Sequence, residues 1–213
     1  MFVVILLLAK GILKKMKSSK ILIGFLGLFG VGLVTILLVV GWFISTANTM
    51  VSLDEGVKAS RSQVENVYQR RMDLIPNLVN TVKGYAKHEA TVLEEVTKAR
   101  ASAGQVKINN PADLPKFSQA QGELSNALSR LMVVVEKYPE LKANQGFLEL
   151  QSQLEGTENR ITVERQKFNQ VAQKYNTYIK FFPQSFVAGM RGFVEKPYFQ
   201  ADVAAKTAPK VEF

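Results

Sequence analysis

The sequence predicts an all-α protein in which an N-terminal single transmembrane helix precedes an antiparallel up-and-down bundle of long helices. Three observations support this prediction. Residues 21–44 carry no charge, apolar side chains in residues 45–180 recur at the three- and four-residue steps of a helix, and the breaks between the periodic stretches are short. A coiled-coil rod is the main alternative, but the apolar residues depart from strict heptads, which favours the bundle.

The pattern divides the chain into four segments. They are a basic N-terminal segment 1–20, the transmembrane helix 21–44, the long-helix bundle 45–180 and an irregular, aromatic-rich C-terminal segment 181–213. Met16 is an alternative start site to Met1, because the basic residues that follow it would still precede the apolar run. The residues after the apolar run are enough for one domain with a hydrophobic core.

Residues 21–44 would form a helix about 36 Å long, which is enough to cross a hydrocarbon core of about 30 Å. Ser45-Thr46-Ala47 resembles a signal-peptide cleavage site, but the apolar run is longer than the usual 7–15 or so residues. We therefore expect an uncleaved, single-pass anchor in the lipid bilayer. Lysines cluster before this segment and not after it, so the positive-inside rule places the N-terminus in the cytoplasm and the domain outside the inner (cytoplasmic) membrane.

Composition excludes several classes of function. The net charge of +9 owes five lysines to the N-terminal segment, and the remaining 22 Lys and Arg nearly balance 18 Asp and Glu, so no nucleic-acid surface is predicted. The chain has no Cys and a single histidine, His88. Its neighbour Glu89 would point about 100° away on a helix, so the pair does not indicate a metal site. We expect no cofactor, no metal and no small-molecule substrate.

The apolar period predicts a first helix after the membrane segment. Pro76 either kinks this helix or lies in the first turn of a new one, with Asp73 near its start. The stripe then continues from Leu78 to about Ala103. The residues on the stripe are Leu53, Val57, Val64, Val67, Tyr68, Leu78, Val82, Tyr85, Val92, Val96 and Ala99.

Two more helices follow the predicted loop 104–110. A helix N-terminus is predicted at Asn110, which can act as the N-cap. Pro111 suits the first turn, and Asp113 places an acid near the positive end of the helix dipole. This helix ends at Tyr138, because the residue before a proline disfavours the helical conformation. The last long helix runs from about Ala143 to Lys180, near 57 Å.

The final segment, 181–213, is rich in aromatic residues. It holds six of the thirteen Phe in the chain, whereas disordered segments are poor in aromatics. We expect it to pack along the bundle, with an intermolecular contact as the alternative. Proline and glycine residues at 183, 189, 192, 197 and 209 argue against a long helix here.

Several residue blocks together resemble the bacterial LemA family. They are Arg70 to Val79 (RRMDLIPNLV), Val82 to Tyr85, His88-Glu89, Ala99-Arg100, Gly156 to Ile161 (GTENRI), Tyr175-Asn176 and Lys196 to Phe199. The blocks occur in order and cover nearly all of residues 50–213. The resemblance implies a membrane-anchored antiparallel helical bundle, and it supplies no catalytic residues.

The polar residues of these blocks are the candidate site. They are Arg70, Arg71, Asp73, Pro76, Asn77, Glu158, Asn159 and Arg160. Across antiparallel helices they would form either a charged network that sets the register of the bundle or a polar patch for a partner. We predict a non-enzymatic, membrane-anchored interaction or scaffold protein of the bacterial envelope, with a protein partner or a second copy of itself. An envelope hydrolase with an unrecognised site is the alternative.

Overall fold

The computed structural model describes the backbone of residues 2–86, 88–108 and 110–200, and the solvent exposure of residue 24 and of residues from 26 onward within these ranges. Every regular element in this part of the chain is helical, as the sequence predicts. The basic side chains of segment 1–20 and residues 201–213, which include Pro209 and Phe213, lie outside the described set. The chain forms two compact units, Met1–Thr49 and Met50–Phe213.

The helices differ widely in length. They are α1 (Phe2–Tyr85), α2 (Ala90–Gln105), a short 3₁₀ turn (Pro111–Asp113), α3 (Leu114–Val135), α4 (Pro139–Lys142), α5 (Gln145–Lys180) and α6 (Gln184–Arg191). Residues 193–200 follow as an extended segment without helix, which we call the C-terminal strand segment.

The described part of the first unit is apolar and exposed up to Ile44, whereas Thr46 and Ala47 near its end are buried. Its side chains from Leu26 to Ile44 project almost entirely into open space, and α1 is long and apolar enough here to cross a membrane. Leu28 and Phe29 are each about three-quarters exposed. Such a surface is unfavourable in water, so this stretch is a candidate membrane span.

Cross-helix contacts within the second unit show pairs of antiparallel helices. Glu95 of α2 pairs with Arg130 of α3, and the Tyr138 hydroxyl, just after α3, donates to Glu89, just before α2, so the numbering rises along one helix as it falls along the other. Helices α1 and α5 are antiparallel as well. Their contacts join Tyr85 to Asn144, Arg71 to Glu158 and Gly56 to Val171.

The core of the second unit lies between α1, α2, α3 and α5. On α5, five large buried side chains recur at seven-residue intervals, which keeps one face of the helix towards the core. These are Phe147, Leu154, Ile161, Phe168 and Tyr175. The other helices contribute Ile75, Leu78, Val82, Val96, Leu124 and Leu131, all nearly inaccessible to solvent.

One sequence prediction about the helices is wrong. The stripe from Leu78 to Ala103 is not a single helix, because α1 ends at Tyr85 and α2 begins at Ala90. Val82 and Val96 are both fully buried in one cluster. Only a reversal of the chain between them lets the apolar face of α2 pack on that of α1, and Gly84 weakens the helix just before the turn.

The other predicted boundaries agree closely with the structure. The Asn110 N–H donates to Asp113 Oδ2 at 2.8 Å, which is part of a capping box at the predicted helix start. Asn144 caps α5, because its Oδ1 accepts the Phe147 N–H at 2.9 Å. Helix α1 continues through Pro76, which decides between the two interpretations that the sequence left open.

Replacing Ile161 tests the α5 core face. Ile161→Ala should lower the free energy of unfolding by about 2–4 kcal/mol, since it leaves a cavity in the packed interior. The half-exposed neighbour Val163 provides the matched control, and Val163→Ala should cost less than about 0.5–1 kcal/mol. Urea unfolding of the full chain in detergent, followed by far-ultraviolet circular dichroism, measures both. Equal losses would contradict the assignment of Ile161 to the core.

Candidate functional site

Pro76 leaves one backbone carbonyl of α1 without its normal partner. In an α-helix each N–H bonds the carbonyl four residues earlier, and proline has no N–H. The carbonyl deprived in this way is that of Met72. Arg100 on α2 replaces the missing donor, because its Nε bonds Met72 O at 2.9 Å. The proline therefore creates a defined attachment point for the neighbouring helix.

The residue next to this carbonyl, Arg71, connects α1 to α5. Its side chain is 8% exposed, and Nη1 lies 2.9 Å from Oε2 of Glu158, which is half exposed. Burying a guanidinium without a partner is costly, whereas a charge-assisted hydrogen bond to a carboxylate compensates much of that cost. Arg71 and Arg100 therefore tie two different helices to one turn of α1.

A cleft opens beside the Arg71–Glu158 pair. It has a volume of about 710 Å³ and is lined by residues of α1, α3, α5 and the C-terminal strand segment. Tyr68 stands in its wall with its ring edge-on to Phe117, at a centroid separation of 5.0 Å. Burial raises the pKa of the Tyr68 phenol, so this hydroxyl stays protonated and neutral at physiological pH.

Gln121 on α3 is the unusual residue of the cleft wall. It is 3% exposed, and neither its Nε2 nor its Oε1 has a hydrogen-bond partner among the described residues. A buried amide left without partners costs about 1–3 kcal/mol. A bound group that both accepts and donates a hydrogen bond would remove that cost.

The C-terminal strand segment forms another wall and is attached to α5 by two asparagines. Asn176 donates to the carbonyl of Lys196 and accepts its N–H, both at 2.8 Å. Asn169 makes the same pair of bonds to Phe199, both at 2.9 Å. Asn169 and Asn176 are seven residues apart on a helix, and Lys196 and Phe199 are three residues apart in an extended chain. Both separations are about 10 Å, so each asparagine lies opposite its backbone partner.

A charged cluster connects the same segment to α1. Lys196 Nζ lies 2.6 Å from Asp54 Oδ1, and Lys58 Nζ lies 2.9 Å from Oδ2. Burial opposes ionisation of Asp54, but the hydrogen bonds from Lys196 and Lys58 outweigh it and hold its pKa below the usual value. Burial, followed by the nearby Asp54 charge, raises the pKa of Tyr175 to about 12. Lys196 also lies over the Tyr175 ring.

The structure separates the residues of the predicted polar site. It joins Arg71 to Glu158, whereas Asp73 bonds Gln69 on its own helix at 2.8 Å. Pro76 is partly buried inside α1. The remaining four are exposed: Arg70, Asn77, Asn159 and Arg160.

Sequence reasoning did not assign site roles to Arg100, Gln121, Asn169, Asn176 or Asp54. A signal for Arg100 was available, because a proline within a helix predicts a carbonyl in need of an outside donor. The other residues have no such signal, since Asn, Gln and Asp are ordinary surface residues until the tertiary fold buries them.

The comparison with known families decides the assignment. The profile of the LemA family matches residues 60–213. The chain belongs to the LemA family. The matched region contains the Pro76–Arg100 connection, the Arg71–Glu158 pair and both asparagine attachments, whereas Asp54 and the apolar stretch precede it.

Named relatives of this LemA-family chain come from several bacteria. Magnetosome protein MamQ 2 of Paramagnetospirillum magneticum is 29% identical over 75% of this chain and 66% of the relative, so the match spans just under two-thirds of that protein. Magnetosome protein MamQ of Magnetospirillum gryphiswaldense is 28% identical over the same shares. Protein LemA of Metamycoplasma hominis is 20% identical over 75% of this chain and 71% of the relative.

A double-mutant cycle tests the Pro76–Arg100 connection in this LemA-family chain. Arg100→Leu should cost about 1–3 kcal/mol in the free energy of unfolding, because the Met72 carbonyl loses its donor. In a Pro76→Ala background the restored backbone N–H supplies that donor, so the same change should cost at least about 1 kcal/mol less. Urea unfolding of the four variants gives the coupling.

Arg130→Leu is the matched control for that cycle. Arg130 is an exposed arginine that pairs with Glu95 across α2 and α3. Its removal should cost less than about 1 kcal/mol in either background. If the cost of Arg100→Leu were independent of residue 76, the proposed role of Arg100 as the replacement donor would be wrong.

The Asp54 cluster predicts a pH-dependent contribution to stability. The folded pKa of Asp54 lies below its ordinary 3.8, so the ionised group stabilises the fold above pH 4 or so, and this contribution disappears as the pH falls through the folded pKa. Asp54→Asn should lower the free energy of unfolding by about 1–2 kcal/mol at pH 7. The difference from the unmodified chain should be the same at pH 5 and shrink below pH 4.

Asp73→Asn provides the comparison, because exposed Asp73 bonds only Gln69 in the described structure. It should change the free energy of unfolding by less than about 0.5 kcal/mol at pH 7. A difference for Asp54→Asn that stays constant down to pH 2 would show that its carboxylate charge does not stabilise the fold.

Proposed function

We propose that this protein is a membrane-anchored, non-enzymatic interaction protein of the bacterial envelope whose cleft beside the Arg71–Glu158 pair receives a segment of another polypeptide. Residues 21–44 hold it in the inner (cytoplasmic) membrane, with the N-terminus in the cytoplasm and the helical domain on the extracytoplasmic side. The observation that carries the interaction role is the buried, unpartnered amide of Gln121 in the cleft wall.

The exposed apolar surface of the first unit supports the anchor. Side chains such as Leu28 and Phe29 have no protein neighbour that removes them from solvent. A hydrocarbon environment would remove this cost over a length that matches a bilayer. The lysines before the segment and their near absence just after it support the orientation.

The cross-helix contacts support the finer architecture that we propose for the domain. The antiparallel pairs α1–α2, α2–α3 and α1–α5 close into an up-and-down bundle, and the C-terminal strand segment packs along α5. In this arrangement the cleft is bounded by rigid helices on three sides, which suits it to present polar groups in fixed positions.

The chemistry of Gln121 favours a polypeptide as the occupant of the cleft. A side-chain amide carries one carbonyl and one NH₂ group, which match the C=O and N–H of a peptide backbone. The chain already uses this pairing twice, since Asn169 and Asn176 each bond both backbone groups of one residue in the C-terminal strand segment. Gln121 carries the same pair of atoms without a partner among the described residues, and because they are almost inaccessible to solvent, the side chain turns towards the cleft when an occupant binds.

The charges around the cleft favour binding over catalysis. Glu158 is held by Arg71, and Arg165 donates to the carbonyl of Gln200 and lies over the Phe199 ring. These groups have structural partners, and the described lining places no histidine beside its serines, Ser118 and Ser125, to activate a hydroxyl. We therefore propose that the cleft binds and does not transform its occupant.

The partner is another envelope protein or a second copy of this chain. We propose that the exposed family-motif residues Arg70, Asn77, Asn159 and Arg160 belong to the same interaction surface. Asn159 and Arg160 directly follow Glu158, which lines the cleft.

Replacing Gln121 by a residue of similar size separates binding from folding. Gln121→Leu removes the unpaired polar atoms, so the free energy of unfolding should stay unchanged or rise by up to about 1 kcal/mol. Partner association should fall about tenfold, because two hydrogen bonds to the occupant are lost. A photo-crosslinking amino acid in place of Ser118, which also lines the cleft, reports association in intact membranes.

The expected result is an adduct of discrete mass that depends on light and on Gln121. Gln173→Leu is the control, because Gln173 is exposed on α5 and does not line the cleft. It should leave the adduct unchanged. Adducts that persist with Gln121→Leu, or a loss of stability above about 2 kcal/mol, would show that Gln121 has only a structural role.

A further inference from the structure

Helix α6 and the residues just before it present a large exposed aromatic surface. Phe182 is 89% exposed, Phe186 67% and Met190 65%, and Phe181 is also more than half exposed. We call these four residues the aromatic face. The structure here differs from the expectation that the C-terminal phenylalanines pack on the bundle, because Phe199 is buried while Phe181, Phe182 and Phe186 are not.

Two residues of the aromatic face, Phe186 and Met190, lie on α6, which has two apolar sides. Val187 and Ala188 are buried and attach the helix to the domain, whereas Phe186 and Met190, four residues apart, share an outward side. Gly192 ends the helix with a positive φ of 73°, a conformation that glycine adopts without strain. The helix is therefore held in place by its inner side while its outer side stays apolar and uncovered.

The position of α6 within the second unit is set by the antiparallel pairing of α1 and α5. Val171 lies beside Gly56, and α5 continues nine residues, about 14 Å, towards the Met50 end of α1. The Asp54–Lys196 contact lies near this Met50 end of the second unit. Only five residues lie between Ile44 and Met50 in the sequence, so the chain joins the apolar segment to the domain at Met50.

Charge around the aromatic face fits a phospholipid surface. Residues 181–190 contain no ionisable side chain, and basic residues flank them at the exposed Arg191 and at Lys180, which pairs with Glu195 at 2.8 Å. Helices that lie in the membrane interface combine an apolar aromatic side with basic residues, which approach anionic headgroups. A protein interface of this size would also bury the apolar side, but the exposed cation Arg191 and the location at this end of the domain favour lipid.

We propose that the aromatic face lies in the headgroup and upper acyl region of the bilayer that holds residues 21–44, and gives the domain a second, peripheral contact with phospholipid. This inference rests on the proposed membrane anchor. The aromatic side chains supply the apolar contact and the flanking cations the attraction to anionic lipid.

The absence of cysteine from the sequence makes the test direct. The full-length variant Phe182→Cys is labelled at its single cysteine with the environment-sensitive fluorophore nitrobenzoxadiazole. It is reconstituted into vesicles of phosphatidylcholine and phosphatidylglycerol. One set of vesicles contains lipids with brominated acyl chains and the other does not. Bromine quenches the label only at lipid contact. Quenching at position 182 should exceed that at position 148 roughly threefold, as expected for an interfacial side chain compared with one in water.

Two further labelled positions make the result interpretable. Leu148→Cys is the matched control, since Leu148 is an exposed apolar residue of α5 at the opposite end of that helix, about 48 Å from Lys180. Trp42→Cys reports the anchor itself. Quenching at 42 without quenching at 182 would overturn the present inference alone, whereas failure at 42 would overturn the proposed membrane anchor.

Removing the aromatic face tests whether these residues cause the contact. Phe186→Ser combined with Met190→Ser should reduce quenching of the label at 182 at least about twofold, while the exposed Val163→Ser on α5 should leave it unchanged. If the label is shielded from aqueous iodide but not quenched by brominated lipid, and the shielding increases with protein density, the face contacts a second copy and the lipid proposal is wrong.

Discussion

The helical domain depends on how the carbonyl of Met72 is satisfied. Pro76 removes the normal donor from the interior of a long helix, and a buried carbonyl without a partner is unfavourable. Arg100 supplies the donor from α2, so this bond favours the register in which Arg100 lies beside Met72. Arg71, one residue before Met72, makes the corresponding connection to Glu158 on α5. Two helices are thus positioned by adjacent residues of a third.

Side-chain amides that pair with backbone groups hold the C-terminal strand segment in place. The same pairing suggests how the domain binds a polypeptide. Asn169 and Asn176 replace the partners that a β-strand would have in a sheet, which lets an extended chain run along a helix with its polar groups satisfied. Gln121 has the same chemical group in a cleft that this segment helps to form. Its unsatisfied amide connects the architecture of the domain to the proposed capture of a polypeptide.

Much of the fold was predictable because helical periodicity and end signals act locally. Asn110 with Asp113 and the cap at Asn144 appear close to the predicted boundaries, and the LemA-family blocks were recognisable in the chain. The reversal between Tyr85 and Ala90 was missed, since apolar spacing on both sides continues the same stripe. Of the predicted polar site, the structure joins Arg71 and Glu158 and leaves Asn159 and Arg160 in solvent.

The sequence by itself determined the all-α class, most helix ends and the family, because each follows from the order of neighbouring residues. It also contained the uncharged stretch 21–44, whose length suits a bilayer. Only the tertiary structure decided that Arg100 reaches Met72, that Gln121 is buried without a partner and that Phe182 and Phe186 face outwards. These features depend on which helix faces which, and that is decided by packing between residues distant in the chain.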